Sequence, residues 1–190
     1  MKNERYEMRF AGSGGQGVIL ASVILAEAAV IAGLRTVQSQ AYGPEARGGV
    51  SKAETILSRE EIWYSKVTRP DFLLALTQAS LEAYTKTLAK GAVVMMDDSL
   101  DRPAGLDGTR VIAIPILHTA KEVVGKSFTA NIVAVGAINA ALGLFDDESL
   151  VEAVRRHIPA GTEEINRKAL DAGAALISEE QAAAFAQKLG

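Results

Sequence analysis

Apolar residues in this chain alternate between short, nearly continuous runs and longer stretches interrupted at helical spacing. Tyr6 to Ala11 reads as a first strand. A glycine-rich stretch follows, and Val18 to Ala32 then reads as an apolar helix stopped at Gly33. Leu34 to Ser39 predicts a second strand, so the chain opens with a β–α–β unit. A right-handed crossover and a parallel strand pair are expected of it. Ala41 to Gly49 reads as a loop, Val50 to Leu57 as a strand, Ser58-Arg59-Glu60 as a turn, and Glu61 to Tyr64 as the returning arm of an antiparallel hairpin. Asp71 to Thr77 and Ala92 to Met96 are short apolar runs of the kind that strands buried on both faces require. Between them Gln78 to Ala89 predicts a helix stopped by Gly91, and Arg110 to Ile114 supplies the last strand. From about residue 116 onward the pattern is helical: Thr129 to Leu142, Glu148 to His157, Thr162 to Ile177 and Glu179 to Leu189.

These elements predict an α/β class: a three-layer, mainly parallel sheet with an antiparallel hairpin and a helical C-terminal part, in a single domain over 1–190. Composition agrees, because 48% of the 190 residues are hydrophobic and only 5% aromatic, which favours buried strands and close-packed helices. Cysteine is absent, which excludes disulfides, a thiolate nucleophile and cysteine-ligated iron–sulfur clusters within this chain. A net charge of −3 without a basic run argues against nucleic acid as a partner. Met1-Lys2-Asn3-Glu4-Arg5 lacks the apolar stretch of a signal peptide, and the expected location is cytoplasmic. Phe128 to Phe145 carries no charge, but Thr129, Asn131 and Asn139 make it a buried helix of a soluble protein rather than a membrane span.

The first candidate for chemistry is Gly12-Ser13-Gly14-Gly15-Gln16-Gly17, between a predicted strand and a predicted helix. Glycines there let the backbone approach a ligand, and the following helix points free N–H groups and its positive dipole end at an anion. This context is Rossmann-like. A dinucleotide site also wants an acidic residue after the second strand, and Thr36-Val37-Gln38-Ser39-Gln40 offers none. A tight turn that serves only strand–helix packing is the alternative. The second candidate is the loop Tyr42-Gly43-Pro44-Glu45-Ala46-Arg47-Gly48-Gly49, expected at the same carboxyl edge of the sheet. Arg47 between small residues could clamp a carboxylate or phosphate, and a surface Arg paired with Glu45 is the alternative. Asp71, Asp97 and Asp98 lie at strand ends, where capping is the expected role, and His157 beside Arg155 and Arg156 suits a helix end. No His or acidic cluster has metal-ligand spacing, so no metal site is expected.

Taken together, these motifs resemble a known family. The glycine turn, the Tyr42-Gly43-Pro44-Glu45-x-Arg47-Gly48-Gly49 loop, Arg69-Pro70-Asp71 before a buried strand, and Asn131-Ile-Val-Ala-Val-Gly136-Ala resemble the γ subunit of 2-oxoacid:ferredoxin oxidoreductases. The likeness runs from about Arg9 to about Leu144 and is strongest to the branch acting on 2-oxoglutarate. It implies a complex that decarboxylates a 2-oxoacid, transfers the acyl group to coenzyme A and passes two electrons to ferredoxin. Thiamine diphosphate and Mg²⁺ would sit on α and β partner subunits, and iron–sulfur clusters on a ferredoxin-like subunit. This chain would be inactive alone, would hold no cofactor by itself and would face coenzyme A at its cleft. Arg47 would hold an anionic group of the 2-oxoacid or of coenzyme A. Gly12, Gly14, Gly15, Gln16, Gly17, Gly48 and Gly49 would form the binding wall. The competing readings are a nucleotide-binding oxidoreductase domain and a non-catalytic interaction domain.

Overall fold

A computed structural model of the chain describes residues 5–41, 50–104, 106 and 111–187. Six strands form one sheet: β1 (Arg5–Ser13), β2 (Arg35–Gln40), β3 (Val50–Ser58), β4 (Phe72–Ala75), β5 (Val93–Asp97) and β6 (Val111–Ile114). Their order is β2-β3-β1-β4-β5-β6. β3 pairs antiparallel with both β1 and β2, and the other neighbours are parallel, so β3 alone runs against the remaining five. The central strands β4 and β5 are buried at every position, which is why they read as continuous apolar runs.

Two expectations change here. β1 and β2 run the same way but are not neighbours, because β3 lies between them, with Arg5 opposite Ser58 and Ser13 opposite Val50. The predicted hairpin arm over Glu61 to Tyr64 is not a strand: both edges of β3 are already occupied, so no slot remains for it. That segment runs irregularly with Trp63 89% exposed, and the Arg5 guanidinium donates to Tyr64 O at 2.6 Å and Lys66 O at 3.3 Å. The antiparallel part of the sheet is instead β3 with its two neighbours, β1 and β2.

Helices cover both faces of the sheet. On one side lie α1 (Val18–Ile31), α4 (Ala130–Leu142), α5 (Asp147–His157), α6 (Glu163–Ala174) and α7 (Glu179–Phe185), packed onto Tyr6, Met8, Phe10, Phe72, Leu74 and Met95. On the other side α2 (Gln78–Tyr84) and its 3₁₀ extension Thr85–Thr87 lie over Ala11, Leu73, Ala75, Val94 and Met96. α2 is shorter than predicted; Thr77 and Ser80 form a capping box at its start. After β6, the short helix α3 (Ile116–His118) runs on into a π-helical stretch over Thr119–Val124. This second layer also seals a charge. Arg9, 5% exposed, donates to Glu54 at 2.8 Å, Thr87 Oγ1 at 2.8 Å and Val67 O at 3.2 Å, with its guanidinium over the Tyr84 ring. Each of its polar edges is therefore satisfied, as burial of a charge requires.

α4 is the keystone of the larger layer. Eleven of its thirteen residues are buried, and its cover comes from this chain's own sheet, α1, α6 and α7 rather than from a partner subunit. α6 reaches it through two glycines. A Cβ at Gly136 would sit 2.1 Å from Leu170 O, and one at Gly173 would sit 1.9 Å from Val133 O. Backbone cannot rotate away as a side chain can. Gly136→Ala and Gly173→Ala should each cost about 3 kcal/mol or more in urea unfolding. Gly14→Ala, whose Cβ would meet nothing within 4 Å, should stay within about 0.5 kcal/mol of the parent.

Candidate functional site

The glycine turn closes the carboxyl end of β1 and hands the chain to α1. Gly15 and Gly17 take left-handed φ values of 89° and 70°, and Gly17 is the α1 N-cap. The side chain of Gln16 is a latch. Its Oε1 accepts from Ser13 N–H at 2.7 Å, and its Nε2 donates to Leu76 O at 3.2 Å, tying the turn to the end of β4. Gly12 makes room for that latch, because a Cβ there would lie 2.6 Å from Gln16 Oε1. Gly17 makes room for Asn131, whose Nδ2 would be 2.8 Å from a Cβ. Packing thus accounts for Gly12, Gln16 and Gly17. Gly14 and Gly15 are exposed and face open space, so they leave the turn approachable from outside.

Arg47, Gly48 and Gly49 lie outside the described residues. Their flanks do not: Val50 is opposite Ser13 in the β1–β3 pairing, and Ala41 N–H donates to Lys52 O at 3.2 Å. Val50 therefore stands beside the glycine turn, at the edge where α/β sheets collect ligands. The geometry also speaks against a dinucleotide. In that arrangement the strand after the first helix lies next to β1. Here β3 separates them, and Gln38 on β2 is turned onto Ser22 of α1 at 2.9 Å.

The remaining polar candidates serve the fold. Asp97 accepts from Ser99 and, at 2.8 Å, from Leu117 N–H, which pins the loop after β5 to α3. Asp71 accepts from Glu7 N–H at 2.9 Å, and burial raises its pKa above the usual carboxylate value. His157 Nε2 lies 3.9 Å from Glu27, which Arg156 contacts at 2.7 Å, so this group fastens α5 to α1. Hydrogen bonds from Arg155 and Arg156 lower the Glu152 pKa to about 2. A depression of about 720 Å³ lies at the start of α5, lined by Asp146, Asp147, Glu148, Glu152 and Arg167, but its acids cap and brace helices. Among the described residues no group of three or more His, Asp or Glu side chains could hold a metal ion, and no helix is long and apolar enough to cross a membrane.

Residues 7–176 match the family model described as pyruvate ferredoxin/flavodoxin oxidoreductase. The chain belongs to this family. It is 41% identical to the 2-oxoglutarate synthase subunit KorC of Methanothermobacter thermautotrophicus, over 92% of this chain and 96% of that one. The crystal structure of the keto/oxoacid ferredoxin oxidoreductase γ subunit from Geobacter sulfurreducens superposes with a TM-score of 0.79 at 44% identity, covering 94% of this chain and 99% of that one. A 2-oxoglutarate:ferredoxin oxidoreductase from Magnetococcus marinus, solved with 2-oxoglutarate, coenzyme A and succinyl-CoA bound, superposes with a TM-score of 0.80 at 25% identity. This chain spans 31% of that polypeptide. Within the family, then, this is the γ subunit of a 2-oxoacid:ferredoxin oxidoreductase, a component of a heteromeric enzyme.

The Gln16 latch was not legible beforehand, since the motif reads equally well as a ligand loop. Its signature is the glycine four residues earlier that gives the amide space. Gln16→Ala should cost about 1–3 kcal/mol by leaving Ser13 N–H and Leu76 O unpaired. Gly12→Ala should cost about 1 kcal/mol less in a Gln16→Ala background than alone, a coupling measurable in a double-mutant cycle.

Proposed function

We propose that this γ subunit serves a complex that converts 2-oxoglutarate and coenzyme A to succinyl-CoA and CO₂, delivering two electrons to ferredoxin. The observation that carries the substrate is the 41% identity to a 2-oxoglutarate synthase subunit across 96% of that subunit's length. Thiamine-binding α and β subunits and a ferredoxin-like subunit would complete the assembly. Thiamine diphosphate supplies the carbanion chemistry of decarboxylation when bound on those partners, and this chain, lacking cysteine, leaves cluster ligation to them. The subunit would work in the cytoplasm.

This chain's contribution would be one wall of the cleft. The glycine turn offers an open approach to backbone N–H groups at the start of α1, a helix with neither a side-chain cap nor an acid in its first turn. Those features suit the anionic groups of coenzyme A. Arg47, with Gly48 and Gly49, would face the same cleft from the neighbouring segment and hold a carboxylate or phosphate through its planar fork. The Magnetococcus relative binds both coenzyme A and 2-oxoglutarate, which supports a cleft for both.

Affinity purification of the chain from its native source, with mass identification of what accompanies it, should recover a thiamine-binding partner; its absence would overturn the proposal. In the reconstituted complex, Arg47→Ala should raise the KM for coenzyme A or for 2-oxoglutarate about tenfold or more, with a smaller change in kcat. Unchanged kinetics would remove Arg47 from the site.

A further inference from the structure

We propose that the edge of the sheet where β4 and β5 begin carries a docking surface for a partner subunit that offers carboxylates around an apolar socket. Assigning the occupant to a subunit of the complex rests on the function proposed above. Two segments build the surface: the irregular stretch from Trp63 to Pro70, which leads into β4, and the stretch from Thr85 to Lys90, which leads into β5. They are tied side by side. Ala89 N–H donates to Pro70 O at 3.0 Å, and the buried Arg9 guanidinium reaches Val67 O on one segment and Thr87 Oγ1 on the other. Each tie is flanked by exposed cations: Lys66 beside Val67, Arg69 beside Pro70, Lys86 beside Thr87 and Lys90 beside Ala89.

The fold thus gathers four exposed cations from two separate segments of a chain whose net charge is −3. Their side chains have no ion pair or hydrogen bond among the described residues. Elsewhere the exposed arginines are matched: Arg155 and Arg156 clasp Glu152, and Arg167 clasps Asp171. The acids near this edge are engaged with other groups. Glu7 holds Arg5 at 2.8 Å, Glu54 is shared by Arg9 and Lys52, Glu61 faces Arg35 at 4.0 Å, and Glu82 accepts from Gln78 at 3.0 Å. Carboxylates that complement this patch therefore have to come from another chain. Beside the cations stand Trp63, the only tryptophan, and Tyr64, 89% and 57% exposed. Arg5 braces the backbone beneath them through Tyr64 O and Lys66 O. A depression of about 330 Å³, lined by Arg35, Val37 and Ile62, borders the indole. Trp, Tyr and Arg are the side chains that anchor protein interfaces, and an aromatic centre with a charged rim is the anatomy of such a contact. Nucleic acid fits less well, because the chain as a whole is acidic.

The test treats the purified complex with a carbodiimide, which joins a lysine amine to a carboxylate it touches, and identifies the linked peptides by mass spectrometry. Lys66, Lys86 or Lys90 should be linked to Asp or Glu of a partner subunit. Lys86→Glu combined with Lys90→Glu should weaken association of the full-length chain with the rest of the reconstituted complex about tenfold or more, and the loss should shrink as salt is raised. Trp63→Ala should weaken it about tenfold or more with Tm unchanged, since the ring is covered by little of its own chain. Links to a second copy of this chain, links that form only when a soluble electron acceptor is added, or lysine protection that nuclease treatment removes would overturn a partner subunit as the occupant. Unlinked lysines together with normal assembly of both variants would overturn the surface. That result in a complex that binds thiamine diphosphate leaves the subunit assignment standing. Linked lysines in a complex that binds none keep the surface and remove the assignment, and a chain recovered without any partner removes both.

Discussion

The helical layer depends on backbone meeting backbone where α6 crosses α4. Gly136 and Gly173 face carbonyl groups of the opposite helix at distances that no side chain could share. Only this approach lets α6 cover the outer side of α4, and only a covered α4 can be apolar nearly all round. The consequence reaches the sheet edge. The first turn of α4 sets Asn131 against Gly17, so the seating of α4 on α6 also sets the position of the side chain that borders the glycine turn. The turn is anchored a second time by Gln16, whose amide bridges Ser13 and Leu76 and so ties the ends of β1 and β4 together. The candidate site is thus a rigid corner, fixed from a helix on one side and from a neighbouring strand on the other.

Much of this was legible in the residue pattern, for identifiable reasons. β4 and β5 announce themselves because strands covered on both faces must be apolar at every position. α1 and α4 are bounded by glycines whose left-handed or near-terminal conformations end helices. Other features were hidden. Whether β3 lies outside β2 or between β2 and β1 is a question of partner choice, and alternation within Val50–Ser58 is the same either way. The Glu61–Tyr64 segment was expected to pair with β3, and both edges of β3 are taken by β1 and β2. Within the site, the glycine fingerprint is satisfied equally by a ligand and by a neighbouring side chain. Gly12 and Gly17 prove to serve neighbouring side chains, which leaves Gly14 and Gly15 as the positions that packing does not account for. Asn131 sits more than a hundred residues from the turn, and no local pattern connects the two.

The division of labour in the family follows from the same geometry. Asp97, Arg9 and Glu152 are engaged in holding helices and strands together. What the domain presents at the carboxyl edge is a turn left open at Gly14 and Gly15, leading into the uncapped start of α1.

The reversed insertion of β3 also constrains the order in which the chain can assemble. β1 has no sheet neighbour among the first forty residues; its partners are β3, beginning at Val50, and β4, beginning at Phe72. The first β–α–β segment to leave the ribosome therefore cannot close its own sheet. Tyr6, Met8 and Phe10 must stay unpaired until β3, which ends at Ser58, has been made, and β2 waits for β3 in turn. Such non-local pairing slows folding and leaves apolar strands exposed to wrong partners during synthesis. The N-terminal strand that carries the glycine turn is thus committed late, when the middle of the chain is already available to receive it.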